Sequence, residues 1–195
     1  MTTTAVAEGQ AGDQPRYAAV QRWLHWAIAL IVAGNALGGA MLWAYDGFGG
    51  LRDAFGIEAT NAIYTFHKSF GTLLIGLRLL RLAARLALGA PPRVAGMPGW
   101  QAAVAGLTHV AIYALLFAVL ALGWAATDVG GWPLEFFGTV LPGFLPDDKA
   151  WSALLYALHG AATLALVAVL ALHIGAAMRH WLVERDGVMG RISVP

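Results

Sequence analysis

Six imidazoles are the side chains of this sequence best suited to chemistry: His25, His67, His109, His159, His173 and His180. Cysteine is absent, which excludes disulfides, thiolate catalysis, iron–sulfur clusters and zinc knuckles. Any metal chemistry must therefore rest on histidine, methionine or carboxylate. His159 and His173 stand 14 residues apart. On a helix turning 100° per residue, that spacing returns to within about 40° of the same face after a rise of roughly 21 Å. It describes two ligand sites stacked along one helix face.

The elements that would carry these residues are apolar. The chain is 59% hydrophobic and 12% charged, about half the charged fraction of a soluble domain, so lipid is the expected solvent. A net charge of +1 and the lack of a basic run give no indication of nucleic acid. Residues 1–15 have neither the basic start nor the apolar core of a cleavable signal peptide. They are expected to form a disordered cytoplasmic tail, with the first helix as its own insertion signal. Four spans are predicted at about 18–45, 59–83, 101–126 and 151–181, each long enough to cross roughly 30 Å of hydrocarbon. The second is interrupted by His67-Lys68 and ends among arginines. The expected fold is an all-α, four-helix transmembrane bundle forming one domain over 16–192.

Charge orients the bundle. Arg16, Arg22, Arg78, Arg81, Arg85, Arg93, Arg179, Arg185 and Arg191 fall on one side, which the positive-inside rule assigns to the cytoplasm together with both termini. The opposite loops hold Asp46, Asp53, Glu58, Asp128, Glu135, Asp147 and Asp148 against Arg52 and Lys149. Tyr17, Trp23, Trp26, Trp100 and Trp181 mark the inner boundary. Trp43, Tyr45, Trp132, Phe136, Phe137, Phe144 and Trp151 mark the outer one. The long connection 128–149 reads either as a lid along the membrane surface or as a loop held by interfacial aromatics.

Depth then selects partners. His67 and His159 lie equally far inside the outer ends of the second and fourth spans, and His25 and His173 equally far inside the inner ends of the first and fourth. Two imidazoles from facing helices suit the axial positions of a low-spin heme iron and leave no open position for oxygen chemistry, which favours electron transfer. An intramembrane histidine can also simply bond a backbone carbonyl. A heme-free, His-lined metal transporter is the other reading, although none of the four cores offers an Asp or Glu. Gly34, Gly38 and Gly71 could leave room for a planar macrocycle, or serve ordinary helix contacts.

The local motifs resemble the bacterial cytochrome b561 family. They are Arg22-Trp-Leu-His25-Trp26, His67-Lys-Ser-Phe-Gly71, His109-Val-Ala-Ile-Tyr113, and the fourth-helix pattern His159…His173…Arg179-His180 followed by Glu184-Arg-Asp-Gly-Val. The likeness covers about residues 16–192. Cytochrome b subunits of hydrogenases and formate dehydrogenases share a similar ligand arrangement. The resemblance implies two hemes b on His25, His67, His159 and His173, a ubiquinone or similar quinone as redox partner, and in some members oxidation of superoxide at the outer face. Used instead as an anchor subunit, such a protein would pass electrons for a partner enzyme. Residence in a bacterial inner membrane follows from the same resemblance.

Several polar residues could serve those hemes. Arg22, Arg78 and Arg179 are candidates for propionate contacts at the inner level, and His109 for a propionate or quinone contact. Arg81 and Arg85 are expected to snorkel to headgroups. Lys68, beside His67, could meet an outer propionate, steer an anion such as superoxide, or snorkel. His180 is expected at the aqueous boundary.

Overall fold

A computed structural model describes residues 15–94 and 96–194; the tail expected over 1–15 lies, apart from Pro15, outside them. Four long helices dominate: α1 (Ala19–Ala44), α2 (Gly47–Leu88), α3 (Gly99–Val129) and α4 (Lys149–Arg179). The α1–α2 turn is tight because Asp46 and Gly47 both take positive φ. α2 starts well before the expected span and breaks at Gly56, whose φ of 81° and ψ of 169° lie outside helical values. Asp148 caps α4, its carboxylate accepting the Ala150 and Trp151 N–H groups. Between α3 and α4 the chain forms a small antiparallel hairpin, β1 (Leu134–Phe136) paired with β2 (Thr139–Leu141).

α1 packs along α2 and α3 along α4. Ile28, Leu74, Leu116, Val119, Leu120 and Leu166, drawn from all four helices, form the buried core. On α4, Leu166 falls midway between His159 and His173, so this apolar cluster separates the two histidine levels. The outward faces stay apolar, with Leu30, Leu37, Leu107, Leu164 and Leu172 exposed, as helices solvated by lipid require. Among the described residues, α1, α3 and α4 (continued to Glu184) are long and apolar enough to cross a membrane. α2 falls short because His67, Lys68, Ser69 and the later arginines lower its mean hydropathy.

Residues 15–17 and 190–193 meet at one end of the bundle. Tyr17 N–H donates to the Arg191 carbonyl at 3.1 Å, and Arg16 donates to the carbonyls of Gly190 and Ser193. Arg191 is buried and returns donors to the carbonyls of Pro15 and Pro92, tying in the α2–α3 connection. Gln21 links the start of α1 to the carbonyls of Ala84 and Gly89.

Candidate functional site

Two imidazole pairs face each other across helices. His67 on α2 and His159 on α4 have ring centroids 6.2 Å apart with planes at 85°. Both Nδ1 atoms sit on backbone carbonyls, His67 on Asn35 at 3.1 Å and His159 on Val119 at 2.8 Å. A carbonyl accepts only, so each Nδ1 carries the hydrogen and each Nε2 keeps its lone pair. This is the arrangement that orients a ligating histidine.

The same local device supports each ring. One turn beyond each accepting residue stands a glycine: Gly39 after Asn35 and Gly123 after Val119. A Cβ at Gly39 would lie 3.2 Å from His67 Cε1, and one at Gly123 only 2.9 Å from His159 Cε1 and Nδ1. The absent side chains let the imidazoles lie against the neighbouring backbone. Gly34 and Gly71, which the sequence points to, meet Phe66 and Asn35 at ordinary distances instead, whereas Gly38 lies alongside His67.

At the other level, His25 on α1 and His173 on α4 have centroids 6.3 Å apart with planes at 74°. His109 on α3 joins them, 5.4 Å from His173. Arg78 is 3% exposed and lies with its guanidinium 4.0 Å from the Tyr113 ring centre, yet its Nε and one Nη have no acceptor. Arg22 gives Nη1 to the Ser193 carbonyl and leaves Nε unpaired. Arg179 is largely exposed and paired with Glu184 at 2.9 Å. Arg81 donates to the Gln21 carbonyl, and Arg85 lies over Tyr17.

Residues 16–193 match the family model of prokaryotic cytochrome b561. The chain belongs to that family. It is accordingly a membrane b-type cytochrome, a carrier of electrons. Among curated relatives, "Cytochrome b561 homolog 2" of Escherichia coli strain K12 is 28% identical over 184 residues, covering 91% of this chain and 90% of the relative. "Cytochrome b562" of Cereibacter sphaeroides is 30% identical over 184 residues, covering 94% and 98%. "Cytochrome b561 homolog 1" of E. coli K12 is 26% identical, covering 91% and 96%.

The residues of this b561 protein fit a b-type heme. An imidazole nitrogen stands about 2 Å from a bound transition metal, with the ring centre roughly 1 Å further out, so two rings flanking one ion have centroids about 6 Å apart. Both pairs show that separation. The unpaired donors of Arg78 add a second fit, because a buried guanidinium without an anion is costly and a propionate would supply one.

Lys68 turns toward the hairpin. Its Nζ pairs with Glu135 of β1 at 3.0 Å and donates to the Pro133 carbonyl at 3.1 Å. Thr65 also donates to Glu135, and Ser69 Oγ accepts the Phe137 N–H at 2.9 Å. The hairpin is thus fastened to the turns of α2 that flank His67. His180 stands at the end of α4, where its side chain is 18% exposed and contacts two carboxylates. The roles of Asn35, Gly39 and Gly123 are not visible in the sequence alone. The signal available for the glycines was a gap opposite a histidine, but the facing turn is known only once the helices are docked.

Proposed function

We propose that this b561 protein is a di-heme electron carrier, with His67 and His159 holding one heme b and His25 and His173 the other. The observation that carries this reading is the recurrence of one ring separation, 6.2 and 6.3 Å, at two levels of one bundle. When bound, the hemes supply single-electron exchange. The chain holds the ligating tautomer at the outer pair through the Asn35 and Val119 carbonyls, keeps the two levels dry with the Leu74–Leu166 cluster, and offers Arg78 to a carboxylate at the inner pair. α2 is the fourth span, since its polar residues turn to the histidines, the hairpin and Tyr113. Both termini lie on the cytoplasmic side of a bacterial inner membrane, consistent with the arginines gathered at their end.

Electrons then run between a membrane quinone and a donor at the hairpin end. The charges there favour a protein partner over superoxide. Arg52 pairs with Asp53, Lys68 with Glu135, and Lys149 with the Gly130 carbonyl and the Trp132 ring, while Asp46, Glu58 and Asp147 are exposed. Such an end repels an anion, and an anchor role for a partner enzyme accords with it.

Oxidised and dithionite-reduced visible spectra of the purified protein, with heme counted per chain, test the reading. Two hemes b are expected; the absence of a b-type spectrum would end it. His67→Ala or His159→Ala should each remove one heme and leave the other, and retention of both would overturn the pairing. Superoxide added with ubiquinone should be consumed no faster than by spontaneous dismutation. Acceleration would restore superoxide as the donor.

A further inference from the structure

The end of α4 carries a second constellation, unconnected with either imidazole pair. His180 Nδ1 lies 2.7 Å from Glu184 Oε2 and 2.6 Å from Asp186 Oδ2. All three residues are half-buried, and their ligand atoms lie within 4.8 Å of one another. We propose that His180, Glu184 and Asp186 form a binding site for one divalent first-row metal ion.

The local backbone is bent to bring these atoms together. α4 ends in a π-helical turn over His180–Glu184, in which Arg185 N–H donates to the His180 carbonyl at 2.8 Å. Wide turns of this kind cluster at functional sites. Arg185 then takes a φ of 52°, a left-handed conformation that a non-glycine residue adopts at some cost. This reversal carries Asp186 back across the imidazole. Each carboxylate is anchored through one oxygen and aims the other inward. Glu184 Oε1 is held by Arg179 at 2.9 Å, and Asp186 Oδ1 accepts the Val188 N–H at 3.1 Å.

Nδ1 offers at most one hydrogen, which the two inner carboxylate oxygens can only share, whereas a metal ion would contact all three atoms. With neutral histidine the group holds two negative charges against the single charge of Arg179, and a divalent ion would reverse that deficit. The donor set of one nitrogen and two oxygens selects among ions. Calcium and magnesium take oxygen ligands, whereas imidazole with carboxylate suits zinc and its neighbours. Ligand atoms around tetrahedral zinc stand roughly 3.3 Å apart, so each carboxylate oxygen, now 2.6–2.7 Å from Nδ1, would move out by about 0.6–0.7 Å, and water takes the fourth position.

The ion would fasten the C-terminal strap to α4. That strap runs directly on to Gly190, Ile192 and Ser193, whose carbonyls accept from Arg16, Trp26 and Arg22 at the start of α1. Binding to the folded chain alone therefore raises its stability.

The test uses tag-free, heme-replete protein in detergent, stripped with EDTA and titrated with zinc chloride by calorimetry and metal analysis. One zinc per chain is expected, with a raised thermal midpoint and removal by EDTA. His180→Gln and Asp186→Asn should each weaken binding by about tenfold or more at unchanged heme absorbance per chain. If Asp186→Asn lowers heme content, Glu184→Gln on heme-replete protein makes the same comparison. No saturable binding below millimolar zinc, or wild-type affinity in the variants, would overturn the proposal.

Discussion

Gly123 lies so close to the ring of His159 that a Cβ at position 123 would stand 2.9 Å from both Cε1 and Nδ1. The contact is possible because the same turn of α3 presents the Val119 carbonyl that accepts Nδ1–H. One backbone turn thus both orients the imidazole and makes room for it. Gly123→Val should push the ring off its acceptor and lose the heme of the His67–His159 level, halving the reduced-minus-oxidised absorbance per chain. Gly39→Ala is the milder counterpart, since its Cβ would meet His67 at 3.2 Å, and should keep the heme with a shifted spectrum. Two unshifted hemes in Gly123→Val would show that the close approach is incidental.

Arg78 stacks on Tyr113, an arrangement worth up to about 2 kcal/mol when desolvated, yet two of its nitrogens remain without acceptors. A buried cation favours the more negative, reduced state of whatever redox group lies beside it. Arg78→Met should therefore lower the midpoint potential of the His25–His173 heme by roughly 30–60 mV, the upper figure being a tenfold change in a one-electron equilibrium. Potentiometric titration should find the other heme unmoved. A shift confined to the His67–His159 heme would place Arg78 at the wrong level.

Arg191 was legible in the sequence only as one more positive charge on the inner side. Its side chain in fact closes a three-way clasp, with donors to the carbonyls of Pro15 and Pro92. Charged hydrogen bonds of this kind contribute about 1.5–3 kcal/mol each. Arg191→Ala should lower the unfolding midpoint in detergent while leaving heme content per chain intact. An unchanged midpoint would mean that the clasp adds nothing.

The facing of His25 with His173 and of His67 with His159 could be read because helical geometry converts sequence spacing into depth and face without any tertiary contact. His159 and His173 share a face by periodicity alone, and span ends set the levels of His25 and His67. What depended on contacts between distant segments was not readable. Lys68 is beside His67 in sequence, but its partner Glu135 becomes a neighbour only when the hairpin folds back. The hairpin itself turns through Phe137 and Gly138, both at positive φ. Phenylalanine is a poor signal for that conformation, which Asn or Gly usually marks.

The Lys68–Glu135 pair makes the hairpin sensitive to acid in a defined direction. Burial on its own would raise the Glu135 carboxyl, but the hydrogen bonds from Lys68 and Thr65 outweigh it and hold it below the ordinary carboxylate value. A carboxyl lowered in the folded protein stabilises docking above its unfolded value, about 4.3 for Glu, and loses that contribution as pH falls through the folded one. The hairpin should therefore stay docked from neutral pH down to about 5 and loosen only in stronger acid. Hydrogen exchange at the Phe137 amide, corrected for intrinsic rates, reports this directly because that N–H is bonded to Ser69. Glu135→Gln should remove the acid dependence and raise exchange slightly at neutral pH, since a partly exposed pair contributes at most about 1 kcal/mol. An identical acid profile in Glu135→Gln would assign the loosening to another group.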